Sequence, residues 1–260
     1  MDKTNQAANI QDDKTSPIPS DNMKSDYDAP PYSDMEFGGS FSEKAIRMAF
    51  IRKVYAILMA QLAITVAFIC LFLFSEPVMK YTMEHTEMLI IAVVLSFVLI
   101  IAMSCCSNVR RTYPLNMICL FLFTIVESFM LGTIAGSYKV DEVLWAVGIC
   151  AVICLGLTIF AFQTKYDFTM MGGMLFVTLL IFVIFGFLTI FLYNEVVRLI
   201  YACIGALIFS LYLVYDTQLL IGGNHKYTIS PEEYIFAALN LYLDVINLFI
   251  YILQIIGSRN

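Results

Sequence analysis

Two aspartates lie inside apolar segments near the C-terminal end of the chain: Asp216 within IFSLYLVYDTQLL and Asp244 within YIFAALNLYLDVINLFIYIL. An ionised carboxylate at the centre of a bilayer costs at least about 2.5 to 3.5 kcal/mol, even on the most lenient insertion scale. Two of them in consecutive apolar segments therefore indicate an ion or proton site. Carboxylates brought together at low dielectric cannot both be ionised, so such a pair behaves as a proton switch.

The last apolar segment carries a stripe of polar side chains around Asp244. At helical spacing, one face of this segment holds Asn240, Asp244, Asn247, Tyr251 and Gln254. In lipid this face must turn inward, toward partner side chains or water. For the amides, pore lining and hydrogen bonding between helices both remain open. Hard cations prefer oxygen ligands, so the two aspartates are candidate transient ligands of Ca²⁺ rather than of a soft metal.

A third acid, Glu127 in LFTIVESFMLG, also falls inside an apolar run. It lies about 13 residues into that run, or roughly 20 Å deep, and Asp244 lies at a similar depth of roughly 18 Å. Depth and chemistry predict that Glu127 lines a permeation path. The alternative is a protonated Glu127 that hydrogen-bonds a neighbouring helix.

The elements that must position these acids are membrane helices. Hydrophobic residues make up 60% of the chain and charged residues 14%, which excludes an ordinary soluble domain and predicts an all-α polytopic membrane protein. Runs long enough to cross about 30 Å of hydrocarbon lie at about 54–75, 88–106, 114–135, 143–162, 171–193, 197–221 and 233–257. The short loops between them favour an antiparallel bundle.

The charge is concentrated at the N-terminus. Residues 1–43 contain nine acids and three lysines, whereas the remainder contains twelve acids and twelve bases. The first segment also has few aliphatic residues and cannot bury a core. We therefore expect a disordered, acidic, Pro- and Tyr-containing tail over residues 1–42 and a membrane domain over residues 43–260.

Basic residues near the ends of the spans predict the orientation. One side collects Lys44, Arg47, Arg52, Lys53, Arg110, Arg111, Lys165 and Lys226. The other side has Lys80, Lys139, Arg198 and Arg259. This asymmetry predicts a cytosolic N-terminus and, with seven crossings, a C-terminus across the membrane. A re-entrant last segment would return the C-terminus to the cytosol.

Motifs of catalysis are missing from the sequence. It has no GxSxG, no HExxH, no phosphate loop and no histidine within an apolar run. Two facing aspartates could belong to an intramembrane protease, but no GxGD surrounds either one. We expect neither an enzyme nor a cofactor, with Ca²⁺ only as a permeant ion. The neutral membrane domain offers no basic surface for nucleic acid.

From the first span to the C-terminus the chain resembles the transmembrane Bax-inhibitor-motif family, in its lifeguard branch. The matching segments are FIRKVYAILMAQL at 50–62, RRTYPLN at 110–116, QTKYDFT at 163–169, YDTQLLIGG at 215–223 and SPEEYIFAALNLYLDVINLFIYILQIIG at 230–257. The last two segments together are the most specific.

The resemblance implies seven helices with the seventh at the centre of the bundle. It implies a pH-sensitive calcium leak across endomembranes, such as the endoplasmic reticulum or Golgi, with the plasma membrane as a further location, and a role in suppressing apoptosis. The family's paired aspartates match Asp216 and Asp244. The family also has an arginine that latches this pair, for which Arg110 and Arg111 are the nearest candidates.

Two functions follow as hypotheses. The first is a calcium-permeable leak channel gated by protonation of Asp216 and Asp244. The second is a non-conducting membrane adaptor that inhibits apoptotic or receptor signalling. Expected partners are the lipid bilayer, calcium ions and apoptosis-regulating membrane proteins. Carboxylates at depth favour the channel, because an adaptor has no need of them.

Overall fold

The computed structural model describes residues 32–191, 194–223 and 225–258, with side chains from Glu43 onward except that of Ile190. The chain divides into two units, residues 1–40 and residues 41–260. Most of the tail that the sequence predicts to be disordered, residues 1–31, lies outside the described residues. The boundary between tail and membrane domain therefore stays a prediction.

Within the described ranges the ordered elements are all helical. They are α1 (Tyr32–Phe74), α2 (Glu76–Glu84), α3 (Thr86–Cys105), α4 (Ser107–Arg111), α5 (Leu115–Gly136), α6 (Val140–Gln163), α7 (Gly172–Phe191), α8 (Glu195–Ile221) and α9 (Tyr234–Gly257). Short 3₁₀ turns at Phe168–Met171 and Pro231–Glu233 precede α7 and α9.

Seven of these helices are long and apolar enough to cross a membrane. The candidate spans, two of which include the preceding 3₁₀ turn, are Glu43–Phe74, Thr86–Cys105, Leu115–Gly136, Val140–Gln163, Phe168–Thr189, Glu195–Ile221 and Pro231–Gly257. The all-α polytopic fold predicted from the apolar runs is confirmed. The remaining helices, α2 and α4, are short and lie in the connections on either side of α3.

The last helix, α9, is the central one. In its most apolar stretch 61% of residues are buried within the protein, against at most 50% in any other span. It packs against α5, α6 and α8. Tyr242 is fully buried, and its hydroxyl hydrogen-bonds with Oγ1 of Thr65 on α1 at 2.8 Å. The predicted central position of the C-terminal helix is therefore confirmed.

The end of α8, which carries Asp216, is fixed by a glycine and an arginine. Gly222 follows the helix with φ +64°, a left-handed conformation that a residue with Cβ rarely adopts. A Cβ at Gly222 would also lie 2.7 Å from Nη2 of Arg47. Nη1 of Arg47 donates to the carbonyl oxygens of Ile229 at 2.8 Å and Leu220 at 3.5 Å. Arg47 thus joins the last turn of α8, where carbonyl groups lack helical partners, to the loop that follows it.

Candidate ion and proton site

Asp216 on α8 and Asp244 on α9 face each other inside the bundle. Their exposed fractions are 6% and 4%, and their carboxyl groups lie within hydrogen-bonding reach of each other. A hydrogen bond between two carboxyls requires a proton, because one must donate while the other accepts. The structure therefore brings together the two acids whose depth the sequence singled out, in a geometry suited to one shared proton.

The pair's surroundings give it little compensation for negative charge. Oδ2 of Asp244 accepts no hydrogen bond from any described residue. The titratable side chains near the pair include Cys154 on α6 and Tyr212 on α8, and neither carries a positive charge. No group of three or more His, Cys, Asp or Glu side chains suited to a metal ion occurs in the described part of the chain.

The two candidate latch arginines contact a different acid. Nη2 of Arg110 and Nη2 of Arg111 donate to Oε1 of Glu233 at 2.9 Å and 2.5 Å. The Arg110 guanidinium also lies 5.0 Å from the ring centre of Phe236. Glu233 directly precedes α9, about 16 Å along the helix axis from Asp244 at 1.5 Å per residue. These arginines therefore hold the start of the helix that carries Asp244.

Glu127 lies between α5 and α3 and is 7% exposed. The hydroxyl of Ser96 on α3 donates to its Oε1. Tyr242 on the central helix α9 lies near Glu127. Its contacts therefore differ from those of the aspartate pair, although the sequence predicts a similar depth.

Next to Glu127, a set of hydroxyl and amide groups joins three helices. Nε2 of Gln61 donates to Oγ1 of Thr124 at 2.9 Å. Oγ1 of Thr65 hydrogen-bonds with Oγ of Ser128 at 2.9 Å and with the hydroxyl of Tyr242. This network stabilises the packing of α1 and α5 on the central helix, in the manner of polar contacts between membrane helices.

The other four polar residues on this face of α9 lie in different surroundings. Nδ2 of Asn247 donates to the carbonyl oxygen of Leu243 within its own helix at 2.8 Å, and Asn240 is half-buried. The ring of Tyr251 packs among aromatic residues, 5.6 Å from the ring centre of Phe182. Gln254 lines a cavity of about 220 Å³ near the C-terminal end of α9. Of the five stripe residues, Asp244 is the one at the carboxyl pair.

Sequence analysis did not predict a set of hydrogen bonds between Gln218, two residues beyond Asp216, and the loop between α6 and α7. The fully buried Gln218 accepts a hydrogen bond from the backbone N–H of Phe168 at 2.7 Å, and its Nε2 donates to the carbonyl of Tyr166 at 2.9 Å. Asp167, in the same loop, accepts from the backbone N–H of Lys226 at 2.9 Å. These bonds join the loop between α6 and α7 to α8 and to the loop after α8.

The Asp167 carboxylate accepts several hydrogen bonds. It accepts from the backbone N–H of Thr169 at 3.0 Å and from its hydroxyl at 2.6 Å, and Nδ1 of His225 lies 3.3 Å away. The hydrogen bonds from Thr169 and Lys226 lower the pKa of Asp167 to about 2. The sequence signal for this site is Asp-Phe-Thr, the spacing of an Asx turn that caps a helix start.

Comparison with known proteins shows which family this chain resembles. The family described as "Inhibitor of apoptosis-promoting Bax1" matches residues 47–260. Human "Protein lifeguard 3" is 42% identical over 232 residues, which cover 88% of this chain and 74% of the relative. The mouse protein of that name is 40% identical over 88% of this chain and 75% of its own. Mouse "Protein lifeguard 4" is 38% identical over 87% of this chain and 93% of the relative. The resemblance to the lifeguard branch is confirmed.

Proposed function

Because the chain belongs to the family of inhibitors of apoptosis-promoting Bax1, in its lifeguard branch, we propose that it is a pH-sensitive, calcium-permeable leak channel. It acts in endomembranes, modulates calcium homeostasis and thereby suppresses apoptosis. The observation that carries this proposal is the buried Asp216–Asp244 pair, with exposed fractions of 6% and 4% on adjacent membrane-spanning helices.

The gate follows from the chemistry of two facing carboxyls. With one shared proton, the hydrogen bond between Asp216 and Asp244 ties α8 to α9. Loss of that proton replaces attraction by repulsion of two like charges at low dielectric. The same step raises the negative charge at the site and provides oxygen ligands of the kind that Ca²⁺ prefers. Calcium flux should therefore rise as pH rises through the titration of the pair.

The decisive experiment is calcium flux through the purified full-length protein in liposomes, measured as a function of pH. Wild type should conduct with a pH-dependent rate, and Asp244→Asn should lose most of that dependence. Asp141→Asn is a matched control, because Asp141 is an exposed acid in the first turn of α6. Absence of flux from folded wild type at every pH would overturn the channel.

We also propose a cytosolic N-terminus, in an endoplasmic reticulum, Golgi or plasma membrane. Lys53, Arg110 and Arg111, from the more basic side, all contact Tyr234 or Glu233 at the start of α9, whereas Arg198 lines the cavity at the other end of α9. In sealed vesicles a cytosolic protease should digest residues 1–40 and spare a tag after Asn260. Digestion of both would mean six crossings and a re-entrant last segment.

A non-conducting adaptor is the second candidate, and the family's description favours it, since it names inhibition of a protein, Bax1. An adaptor should protect cells from apoptosis equally well with Asp216→Asn and Asp244→Asn in place. Loss of protection in both variants, at normal protein levels, would instead tie survival to the carboxyl pair.

A further inference from the structure

Two adjacent cysteines, Cys105 and Cys106, lie where a membrane-spanning helix ends. Cys105 is the last residue of the candidate span Thr86–Cys105, and Cys106 separates α3 from the short helix α4. Both thiols are free and both residues are exposed. Free cysteine is among the most buried residue types in proteins, so a pair of exposed cysteines at the end of a span is a candidate for chemistry.

The packing of α3 explains why Cys105 faces outward. On one face of this helix, every third or fourth residue is buried: Ala92, Ser96, Leu99 and Met103. On the opposite face, the residues at helical spacing are 55% to 58% exposed: Val94, Val98 and Ile101. Cys105 follows Ile101 by four residues and therefore ends this lipid-facing row. The row from Val94 to Cys105 is about 17 Å long at 1.5 Å per residue, a length that a long acyl chain can cover.

Cys106 is exposed for a different reason. It follows Met103 by three residues and would continue the buried face of α3, but the helix ends there. The backbone of Cys106 is extended, with φ −96° and ψ 98°, and α4 begins at Ser107. The change of direction between α3 and α4 therefore leaves Cys106 exposed beside Cys105.

The surrounding residues place both thiols at the membrane surface, close to positive charge. Arg110 and Arg111 form the end of α4, and the Arg111 side chain is 50% exposed. The exposed Tyr113 precedes the next span, which begins at Leu115, and tyrosine is enriched where a span meets the lipid headgroups. Cysteines beside a membrane span are acceptors of reversible S-acylation. Acyl-CoA, the acyl donor, is polyanionic, and exposed basic residues attract it.

We propose that Cys105 and Cys106 form a site of reversible S-acylation, whose donor is a long-chain acyl-CoA used by a membrane acyltransferase. The thiol sulfur attacks the thioester carbonyl of the donor. A sulfur–acyl bond forms as the bond between the acyl carbon and the sulfur of coenzyme A breaks, and the thiol proton leaves with the released coenzyme A thiol. No oxidant or reductant is required. On Cys105, the acyl chain lies along the lipid-facing row of α3.

This inference goes beyond the proposed function and rests on one part of it, the cytosolic N-terminus. That orientation places the end of α3 on the cytosolic side, where acyl-CoA is found. The modification also concerns the central helix, because Arg110 and Arg111 in the same connection contact Glu233 at the start of α9. Acyl chains on the two cysteines hold this connection at the membrane surface.

The test replaces thioester-linked acyl groups with a polyethylene glycol maleimide on the full-length protein from cultured cells. Free thiols are blocked first, hydroxylamine then cleaves thioesters, and each released thiol adds one mass increment on a gel. We expect one or two hydroxylamine-dependent increments in wild type and none when Cys105→Ser and Cys106→Ser are combined. The single variants assign each increment to its thiol. Metabolic labelling with an alkyne analogue of a long-chain fatty acid should be lost in the same double variant.

Two other exposed cysteines provide matched controls. Cys70 lies near the end of α1, on the opposite side of the membrane from Cys105, and Cys203 lies in the middle of α8. Cys70→Ser and Cys203→Ser should therefore label like wild type. Absence of increments in wild type, or their persistence in the double variant, would overturn the site.

The outcome is independent of the calcium measurement. Labelling that depends on Cys105 and Cys106 in a protein that passes no calcium would keep the acylation site and reject the channel. Calcium flux from a protein without thioester-linked acyl groups would do the reverse. Increments lost in Cys70→Ser alone would overturn the site and contradict the cytosolic N-terminus, which the protease experiment on sealed vesicles tests separately.

Discussion

Asp167 and Asp244 have the same side chain and opposite surroundings. Asp167 lies in a loop at the end of the bundle, where Thr169 and Lys226 donate three hydrogen bonds to it. Asp244 lies inside the bundle opposite a second carboxyl, and its Oδ2 accepts no bond from a described donor. The Asp167 carboxylate has enough hydrogen-bond donors to be stable as an anion. The Asp244 carboxyl lacks the donors or the positive charge that a buried anion requires.

Under the proposed function, this difference separates a carboxylate that stabilises the fold from one that exchanges a proton. With its pKa lowered to about 2, Asp167 is ionised throughout the physiological range and joins two loops permanently. The carboxyl of Asp244 lies within hydrogen-bonding reach of that of Asp216, so the role proposed for it depends on a proton that can leave. An acid that accepts hydrogen bonds from several donors contributes to stability. An acid buried in a membrane span without such donors is a candidate for function.

The largest expected effect is on calcium flux. Asp216→Asn and Asp244→Asn should each reduce the pH-dependent part of the flux about tenfold or more, because an amide cannot take part in the proton exchange of the pair. The double variant should add little to the stronger single variant, since interacting groups titrate as a unit. The measurement is liposome calcium flux from pH 5 to pH 8. Additive effects would mean that the two aspartates do not form one site.

Much of this fold could be predicted from the sequence, because membrane helices are specified locally. Apolar runs of span length and short polar loops predict seven helices without knowledge of how they pack. The pairing of Asp216 with Asp244 was also accessible, because buried acids at membrane depth need a reason to be there. The central position of α9 followed from the family resemblance.

Tertiary partners were less accessible. Nothing local indicates that Arg110 and Arg111 meet Glu233, since that contact joins residues more than a hundred positions apart and depends on which loops converge. Glu127 illustrates the same limit. Its depth could be counted along the helix, but its contact with Ser96 depends on how α5 packs against α3.

Glu233 represents a third kind of acid, because ion pairs with Arg110 and Arg111 hold it at the start of α9. The side chain of Arg110 is 19% exposed and that of Arg111 is 50% exposed. Arg110→Gln should therefore destabilise the protein by about 1 to 2 kcal/mol, and Arg111→Gln should destabilise it less, because exposed ion pairs contribute little. Thermal unfolding in detergent measures both.

This pair of variants also tests the latch that the family resemblance implies. If Arg110 acts by holding the start of α9, its replacement lowers stability and leaves the pH midpoint of calcium flux in place. A shifted midpoint with unchanged thermal stability would mean that Arg110 reaches the aspartate pair instead.

Asp167→Ala should have a smaller effect, and only on stability. It removes the cap of the 3₁₀ turn at Phe168–Met171, a loss that costs about 1 kcal/mol in comparable helix caps. Because the folded pKa of about 2 lies below the unfolded value of about 3.9, the contribution of the charge is complete above about pH 4 and is lost as pH falls toward 2. The stability difference between wild type and Asp167→Ala should narrow over that window.

The flux readout then distinguishes the two acids. Asp167→Ala should leave the pH midpoint of calcium flux unchanged, in contrast to Asp244→Asn. A shift in that midpoint would mean that the loop site communicates with the pair through Gln218, which lies two residues beyond Asp216 and bonds the loop containing Asp167.

The smallest effect is expected at Glu127, which is intermediate between the two aspartates. Like Asp244 it is buried at depth, and like Asp167 it has a donor, the hydroxyl of Ser96. The amide oxygen of Glu127→Gln can accept the same hydrogen bond, so flux should stay within about twofold of wild type if the side chain only joins α5 to α3. A loss as large as that of Asp244→Asn would show instead that the carboxylate charge attracts the permeant ion. Ser96→Ala separates these readings, because it removes the donor and keeps the acid: reduced stability with normal flux marks a helix contact, whereas altered flux in both variants places Glu127 on the permeation path.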